Sequence, residues 1–289
     1  MVALRKIAVR EKPDTVIAFM HSLFIPMAFA LAGTRIPVIA SEHIVREHYK
    51  SRRLEFFLFL CSRFFVKKIT VISEAIRSSY PWFLRQIMVI MPNPVHLASE
   101  SDLPKNNPNK QDWLILNVGR FDPQKDQKTL IAAFALLASR YPGWSVEILG
   151  KGPLERDLKE RIRAAGLEKR ITVTIGNSDV SEFYKRADIF ALPSSYESFG
   201  LATAEAMSYG IPPLGFSDCP GTNELIEDER NGILVSSEDR VKNFAEGMER
   251  LMASADLRRT LGENARKSVL KFAPESIIDR WEILLKENA

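Results

Sequence analysis

Residues 188–212 read DIFALPSSYESFGLATAEAMSYGIP. The apolar run at the start of this stretch predicts a strand that ends at Pro193. Ser198 is a favourable N-cap residue, so the residues after it are predicted to form a helix. A further apolar run at 212–216 predicts the next strand. A strand, a loop, a helix and a second strand form the repeating unit of a parallel α/β sheet.

The same alternation extends along the whole chain of 289 residues. Helical stretches, which include 128–140, 153–166 and 239–253, separate most of the short β-branched runs. These runs predict strands at 15–20, 37–42, 68–73, 87–91, 113–118, 145–149, 171–175, 188–192, 212–216 and 232–235. The order of elements predicts the α/β class, with two Rossmann-like, doubly wound parallel sheets.

A polar stretch at 97–112, with two prolines and three asparagines, has the composition of a linker. It predicts a first domain over 1–105, with four strands, and a second over 106–272, with six. Residues 273–289 are expected to form a carboxy-terminal helix that packs back toward the first domain. Ligands of such sheets bind beyond the carboxyl ends of the strands, so polar residues at those ends are the candidates for function.

The cysteine content, the charge distribution and the hydropathy of the chain show which classes of protein are disfavoured. Cys61 and Cys219 lie far apart, so neither a disulfide scaffold nor a zinc site is predicted. The first 100 residues hold 14 Lys and Arg against 7 Asp and Glu, a net charge of +7. Such a surface can face nucleic acid, anionic lipid or a phosphate-bearing substrate, or it can be a solvated surface without a partner. The uncharged stretch 15–34 approaches the length of a membrane span, but polar residues and a proline interrupt it, which favours a strand and a helix.

Two glutamates flank the predicted helix of the opening stretch. The amides of Phe199, Gly200 and Leu201 would point out of the helix start, where a phosphate is favoured. Glu205 would lie one turn beyond Leu201 on the same face, about 5–6 Å along the axis. A carboxylate there can accept hydrogen bonds from ribose hydroxyls, while Glu197 would project toward the group on the outer phosphate. The alternative is an ordinary helix with an acidic residue at each end.

A second group of polar residues follows the predicted strand 113–118. It consists of Gly119-Arg120-Phe121 and, five residues after Arg120, Lys125. Two cations at the carboxyl end of a strand suit a pyrophosphate, whose negative charge grows as a glycosidic bond breaks. The alternative is a pair of surface charges on a loop between a strand and a helix.

Together these two segments resemble the signature of glycosyltransferase family 4, a retaining family with the GT-B fold. Members of that family carry Gly-Arg-Leu-x-x-x-Lys after the strand, where this chain has Phe121 in place of Leu. They also usually carry Gly where this chain has Ser198. Their first domain begins with a strand and a glycine-rich loop, which nothing before Thr15 matches. The resemblance therefore implies an incomplete first domain and a complete donor domain.

The resemblance also implies a role for each matching residue. The diphosphate would contact the two cations, the ribose would contact Glu205, and the transferred sugar would lie near Glu197. The backbone at Gly176 would lie near the nucleobase. The implied catalytic residues are His43, Arg120, Lys125 and Glu197. The implied donor-binding residues are Gly119, Arg120, Lys125, Gly176, Glu197, Ser198, Phe199, Gly200, Leu201 and Glu205.

Two features of the first domain bear on the acceptor. Family members have a histidine close to the reacting sugar at the end of the second strand, which matches His43 in the sequence Ser41-Glu42-His43. A neutral imidazole there can hydrogen-bond sugar hydroxyls or stabilise a developing oxocarbenium ion, and the alternative is a surface histidine. In the stretch 46–68, basic residues flank an aromatic middle. That composition suits a helix on an anionic membrane, and it suits a core-facing helix equally well.

The function implied is transfer of a hexose or N-acetylhexosamine, with retention, from a nucleoside-diphosphate sugar that is expected to be UDP-linked. The expected acceptor is a saccharide or lipid-linked oligosaccharide of surface polysaccharide synthesis. No Asp-x-Asp motif occurs, so neither a metal nor a cofactor is expected, and no nucleic acid partner is expected either. The expected location is the cytoplasm or the inner face of the plasma membrane. Two alternatives stay open, namely a nucleotide-sugar epimerase of the same fold and a non-catalytic remnant or partner subunit that binds nucleotide.

Overall fold

The computed structural model describes residues 2–44, 46, 49, 52–103, 111–176 and 179–288. Its strands are β1 Val16–Phe19, β2 Val38–Glu42, β3 Lys68–Val71, β4 Met88–Ile90, β5 Trp113–Val118, β6 Trp144–Gly150, β7 Ile171–Ile175, β8 Ile189–Ala191, β9 Pro213–Phe216 and β10 Ile233–Val235. Its helices are α1 Val2–Glu11, α2 His21–Ala30, α3 Arg53–Ser62, α4 Glu74–Ser79, α5 Trp82–Arg85, α6 Gln127–Leu137, α7 Glu155–Ala164, α8 Ser181–Tyr184, α9 Leu201–Ser208, α10 Thr222–Leu225, α11 Arg240–Ala253, α12 Ala255–Val269 and α13 Pro274–Lys286.

The ten predicted strands are confirmed, each within two residues of its expected ends. The uncharged stretch 15–34 forms β1 and α2, with buried side chains on both elements. Within the described parts of the chain, no helix combines the length and the apolar character that crossing a membrane requires. Continuous apolar runs of this kind are expected for parallel strands, because helices cover both faces of the sheet.

The chain divides into two units, Met1–Pro94 with Pro274–Ala289, and Val95–Ala273. The expected boundary at residue 105 falls among residues 104–110, outside the described residues, and the observed division comes earlier. The reason is that the first part of the polar stretch belongs to the second unit. Val95 N–H donates to Phe272 O, at 2.8 Å, and Ala98 N–H donates to Ser208 Oγ, at 3.2 Å.

In the first unit, β1, β2, β3 and β4 follow one another across a parallel sheet. All five residues of the central strand β2 are buried. The last helix, α13, belongs to this unit. Its side chains Ile277 and Leu284 lie in one buried cluster with Ile39 of β2 and Met91. The unit therefore has its own hydrophobic core around β2.

In the second unit, six parallel strands lie in the order β10-β9-β8-β5-β6-β7. The larger core cluster, which includes Phe134, Ile148 and Phe244, packs α6, α7 and α11 against one face of this sheet. A second cluster, which includes Leu116 and Phe190, lies on the other face with α8 and α9. The strand order reverses between β5 and β8, and sheets of this kind bind ligands at such a reversal.

Candidate active site

The two segments singled out in the sequence leave neighbouring strands. β5 pairs with β8 in parallel, with Leu116 opposite Phe190. The loop after β5 and the loop after β8 therefore emerge side by side at the carboxyl edge of the sheet, at the point where the strand order reverses. The fold thus brings together residues that are about 70 positions apart in the chain.

Lys125 and Glu197 are in direct contact at this edge of the sheet. Lys125 Nζ lies 2.6 Å from Glu197 Oε1, and the Ser194 hydroxyl donates to the same oxygen, also at 2.6 Å. The two charged side chains are only 15% and 8% exposed. A buried carboxylate needs a cation and hydrogen-bond donors to be stable, and both are present. The contact fixes the position of both charged groups before any ligand arrives.

Further hydrogen bonds, from backbone and side-chain groups, join the two loops outside the Lys125–Glu197 contact. Ser195 N–H donates to Gln124 O, at 2.9 Å, and Gln124 Nε2 donates to Tyr196 O, at 2.7 Å. Glu197 N–H donates to Pro220 O, at 2.9 Å. The loop that carries Lys125 and the loop that carries Glu197 are therefore held as one substructure.

Arg240, the first residue of α11, also stabilises this substructure. Its Nε lies 2.9 Å from Asp126 Oδ2, and its Nη2 donates to Pro193 O, at 2.6 Å. The guanidinium also lies 3.9 Å from the centre of the Phe216 ring. Asp126, the residue before α6, is itself in the left-handed conformation at φ 48°. One side chain thus ties the end of one loop to the start of the other.

Arg120 is placed differently from Lys125. Its side chain is 74% exposed, and its Nη2 pairs with Asp122 Oδ2, at 2.9 Å. Gly119, which precedes Arg120, lies beside the aliphatic part of the Lys125 side chain. A Cβ at Gly119 would come within 3.4 Å of those carbon atoms. The guanidinium is therefore available to a ligand at little cost in folding energy.

The predicted N-cap at Ser198 is wrong. Helix α9 begins at Leu201, and its N-cap is Gly200, at φ 84°. Glycine adopts this left-handed conformation without a steric penalty, so the chain turns at Gly200 and the helix begins after it. With Gly200 as the N-cap, the four amides without an intrahelical acceptor are those of Gly200, Leu201, Ala202 and Thr203. The expectation therefore holds for Gly200 and Leu201, whereas Phe199 lies before the helix.

Phe199 and Ser198 therefore lie before the helix. The Phe199 side chain is buried and packs edge-on against Phe272, with ring centres 5.2 Å apart. Only its backbone can face a ligand. Ser198 is half-buried and forms part of the bend between Glu197 and Gly200.

Glu205 lies in α9, four residues after Leu201, as predicted. Its Oε2 accepts a hydrogen bond from the Tyr184 hydroxyl, at 2.9 Å. Burial raises the pKa of the Glu205 carboxyl above its ordinary value, and the Tyr184 hydrogen bond opposes this shift. Tyr184 is itself buried, so it holds the carboxylate in one orientation.

Gly176 directly follows β7, which is two strands away from β5, a distance of roughly 10 Å across the sheet. It has a φ of 44°, and its N–H donates to Gly150 O, at 2.9 Å. Among the residues that the structure describes, no atom lies within 4 Å of the position that a Cβ would take. Residues 177 and 178 lie outside the described residues.

His43 belongs to the first unit, directly after β2. Its Nε2 lies 3.0 Å from Ser41 Oγ, and burial lowers the pKa of the imidazole below its ordinary value. The neighbouring Glu42 is fully buried, and burial raises the pKa of its carboxyl to about 7. The Tyr49 hydroxyl donates to Glu42 Oε2, at 2.6 Å, and the Ile44 N–H donates to Oε1, at 2.9 Å.

Several residues that support the site could not be predicted from the sequence. Tyr184 lies 21 positions before Glu205, and Arg240 lies 114 positions after Asp126. No local spacing connects such pairs, because the sheet alone brings them together. Ser194 is the exception. Its position three residues before Glu197, at the end of a buried strand, is a signal that could have been used.

Comparison with known families decides what kind of protein carries this arrangement. The profile of the family described as glycosyl transferases group 1 matches residues 98–268, which is more than half of the chain and contains both loops. The chain belongs to the glycosyl transferases group 1 family.

Two curated relatives match along almost the whole chain. One is an uncharacterized glycosyltransferase of Haemophilus influenzae, 28% identical, with 98% of this chain and 79% of the relative covered. The other is a GalNAc-alpha-(1→4)-GalNAc-alpha-(1→3)-diNAcBac-PP-undecaprenol alpha-1,4-N-acetyl-D-galactosaminyltransferase of Campylobacter jejuni, 25% identical, with 99% and 78% covered. Both similarities include the first unit as well as the group 1 region.

Solved structures agree on the fold. Anabaena Alr3699/HepE in complex with UDP superimposes with a TM-score of 0.86 at 19% identity, covering 99% of this chain and 81% of that one. Sucrose-phosphate synthase from Thermosynechococcus elongatus gives a TM-score of 0.82 at 20% identity, covering 99% and 76%. The predicted fold class, α/β of the GT-B type, is confirmed.

Proposed function

We propose that this group 1 glycosyltransferase is a retaining enzyme that transfers a hexose or N-acetylhexosamine from a UDP-sugar to a hydroxyl group of a saccharide or lipid-linked oligosaccharide. The observation that carries the proposal is the Lys125–Glu197 contact at the carboxyl ends of two neighbouring strands, where the strand order reverses and sheets of this kind bind ligands. A cation for the diphosphate and a carboxylate for the sugar lie next to one another there. UDP in the Anabaena complex and the undecaprenol-linked acceptor in the name of the Campylobacter relative support the choice of donor and acceptor.

In the proposed reaction, the bond between the anomeric carbon and the diphosphate oxygen breaks, and the electron pair stays on the diphosphate. Arg120, Lys125 and the first-turn amides of α9 neutralise this charge, which makes the diphosphate a better leaving group. The acceptor hydroxyl attacks the anomeric carbon from the face that the diphosphate leaves. Its proton passes to a diphosphate oxygen, so atoms and charge balance without a protein base.

The remaining residues are proposed to hold the donor. Glu197 would accept hydrogen bonds from the transferred sugar, and His43 would contact the hydroxyls of that sugar or stabilise its developing positive charge. Glu205, oriented by Tyr184, would accept hydrogen bonds from the ribose. The backbone around Gly176 would lie near the base, and Ser198 and Phe199 would contribute backbone groups. Gly119 would allow the chain to approach the phosphates closely.

We propose that no metal takes part, because Arg120 and Lys125 supply the positive charge that a divalent ion would otherwise provide. Activity measured in an excess of EDTA should equal activity with added Mg²⁺ or Mn²⁺. A requirement for either ion would remove this part of the proposal.

The transfer itself is tested with purified chain, a panel of UDP-glucose, UDP-N-acetylglucosamine, UDP-N-acetylgalactosamine and GDP-mannose, and acceptor glycans. NMR of the anomeric proton reports whether configuration is retained. Glu197→Gln should lower kcat about 10²–10³-fold. Release of free sugar or interconversion of donors without an acceptor would instead identify an epimerase. UDP binding without turnover, rescued by a second chain, would identify a non-catalytic subunit.

The ribose contact is tested separately with UDP and 2′-deoxy-UDP in calorimetric titrations. Wild type should bind UDP more tightly, by about 10–150-fold, because a hydrogen bond to a charged acceptor is lost with the 2′-hydroxyl. Glu205→Gln should reduce this difference, and Tyr184→Phe should reduce it in part. Tyr209→Phe is the matched control, because its ring packs on Tyr184 at 5.2 Å. An unchanged ratio in Glu205→Gln would remove the ribose assignment.

We also propose that the first unit contacts an anionic membrane through one face of α3. Leu54 and Phe57, three residues apart on α3, are exposed by 71% and 59%, and Phe64, in the turn that follows the helix, is exposed by 82%. The basic residues Arg53 and Lys67 flank them and are exposed as well. An apolar stripe between basic side chains fits the surface of a bilayer that contains anionic lipid.

Vesicle sedimentation tests this contact. The chain should bind vesicles with phosphatidylglycerol more than vesicles of phosphatidylcholine alone, and Phe57→Ser combined with Phe64→Ser should abolish the binding. Leu136→Ser is the control, because Leu136 is a similarly exposed residue of the second unit, at 56%. Equal sedimentation of the double variant and the wild type would contradict the proposal.

A further inference from the structure

A short chain of hydrogen bonds ends at His43. Ser41 on β2 and Thr70 on β3 are register partners, so their side chains lie next to one another across the sheet. The Thr70 hydroxyl donates to Ser41 Oγ, at 2.8 Å, and Ser41 Oγ lies 3.0 Å from His43 Nε2. Both hydroxyl groups belong to buried residues, with exposures of 2% for Ser41 and 1% for Thr70.

The donor and acceptor roles in these two hydrogen bonds follow from the number of hydrogens available. A serine hydroxyl has one hydrogen to donate, and Ser41 Oγ already receives the hydrogen of Thr70. Among the described residues, the only acceptor at hydrogen-bond distance for the Ser41 hydrogen is His43 Nε2. If Nε2 carried a hydrogen instead, the Ser41 hydrogen would be buried without a partner, which disfavours that tautomer.

We infer that Ser41 and Thr70 are positioning residues that hold neutral His43 in the tautomer with its hydrogen on Nδ1, so that His43 acts as a hydrogen-bond donor toward the substrate. Burial, which lowers the pKa of His43, favours the neutral ring in which this choice of tautomer exists. The role toward the substrate rests on the proposed glycosyltransferase function. The tautomer itself does not depend on it.

The inference restricts the chemistry that His43 can perform. A ring whose Nε2 accepts from Ser41 has no free lone pair, because its other nitrogen carries the hydrogen. His43 therefore cannot remove a proton from the acceptor hydroxyl. It can donate to a sugar hydroxyl oxygen, and such a donor orients the sugar without exchanging protons with it.

The test uses ¹⁵N-labelled histidine in the ligand-free chain, which has only four histidines. Long-range ¹H–¹⁵N spectra, with His43→Gln to assign the signals, distinguish a pyrrole-type nitrogen from a pyridine-type one. Wild-type His43 should show pyrrole-type Nδ1 and pyridine-type Nε2. Ser41→Ala should shift both nitrogens toward an average of the two tautomers. Ser62→Ala is the matched control, because its buried hydroxyl bonds to Phe59 O, at 2.7 Å, in the same unit.

A pyrrole-type Nε2 in the wild type overturns the inference, and so do unchanged nitrogen shifts in Ser41→Ala. If that variant does not fold, the wild-type spectrum decides. Thr70→Ser, which keeps the hydroxyl, should retain the wild-type shifts. If the expected tautomer is found and no transfer is observed, the proposed function fails and the tautomer stands.

A kinetic measurement tests the role toward the substrate. An asparagine amide can occupy the place of Nδ1–H, and a glutamine amide that of Nε2. His43→Asn should therefore stay within about tenfold of wild-type kcat, while His43→Gln should lose about 100-fold. The reverse order, or equal losses, would show that His43 does not donate through Nδ1.

Discussion

Replacement of Arg240 by methionine should destabilise the second unit and disorder the candidate site at the same time. The variant loses two charge-assisted hydrogen bonds, to Asp126 and to Pro193 O, together with the contact to the Phe216 ring. It also leaves Asp126, which is 7% exposed, with the Thr129 hydroxyl and the more distant Lys128 Nζ, at 3.9 Å, as partners on α6. Loss of one partner of a buried ion pair costs about 3–5 kcal/mol.

The Arg240 side chain is 29% exposed, so solvent reduces this cost to about 3 kcal/mol. For a unit of this size the midpoint of thermal unfolding should fall by about 6–12 °C. Because the lost contacts end at Asp126 and Pro193, which adjoin the Lys125 and Glu197 loops, kcat/KM should also fall by about 10–100-fold. Urea unfolding, monitored by tryptophan fluorescence, measures the loss of stability. Initial-rate kinetics measure the fall in kcat/KM.

Arg250→Met is the matched control on the same helix. Its ion pair with Glu229, at 2.7 Å, joins side chains that are 47% and 64% exposed, so its loss should cost under about 1 kcal/mol. Asp126→Asn combined with Arg240→Met should cost less than the two single changes together, since each removes the same pair. The reasoning is refuted if Arg240→Met is no less stable than Arg250→Met, or if the effects of Asp126→Asn and Arg240→Met simply add.

Two further predictions concern one residue in each unit. Burial raises the pKa of Glu42 from 4.5 to about 7 in the folded chain, so the unfolded state releases this proton at a lower pH than the folded state does. The free energy of unfolding of the first unit should therefore fall by about 3 kcal/mol as the pH rises from 4.5 to 7, and Glu42→Gln should remove this slope in urea titrations; an equal slope in the variant would contradict the assignment. In the second unit, a Cβ on Gly221 would lie 2.5 Å from Glu197 O, whereas a Cβ on Gly166, also at positive φ, would have no atom of the described residues within 4 Å. Gly221→Ala should thus lower kcat at least tenfold, while Gly166→Ala should cost only about 1 kcal/mol of stability and leave kcat unchanged; similar kinetics in both variants would exclude displacement of Glu197.

The sequence predicted the fold well because parallel strands covered on both faces appear as continuous apolar runs. The stretch 171–175 matches β7 residue for residue, and 113–118 matches β5. The start of α9 was misplaced because two local signals competed. Ser198 is a good N-cap, but Gly200 adopts positive φ and determines the turn. Composition also misplaced the boundary, since Ala98 in the polar stretch is buried in the second unit.

The site was predictable only in part, for a related reason. Lys125 and Glu197 were found because each follows a strand, and the strand order then places them in contact. Tyr184 and Arg240 were not found, because each supports the site through a contact that only the folded sheet creates. The hydrogen bonds that lead to His43 could not be predicted for the same reason, since Thr70 donates to Ser41 from the neighbouring strand of the folded sheet.

The central claim is that a nucleoside diphosphate binds with its phosphates at the Arg120 and Lys125 loop beside the start of α9. Arg120 is the residue to change, because its exposed side chain contributes little to folding. Calorimetric titration of UDP and of uridine should show that Arg120→Met weakens UDP binding by about 10–100-fold and leaves uridine binding unchanged. Arg156→Met, which alters an arginine that is 91% exposed on α7, should change neither affinity. Equal affinity of wild type and Arg120→Met for UDP would contradict the account.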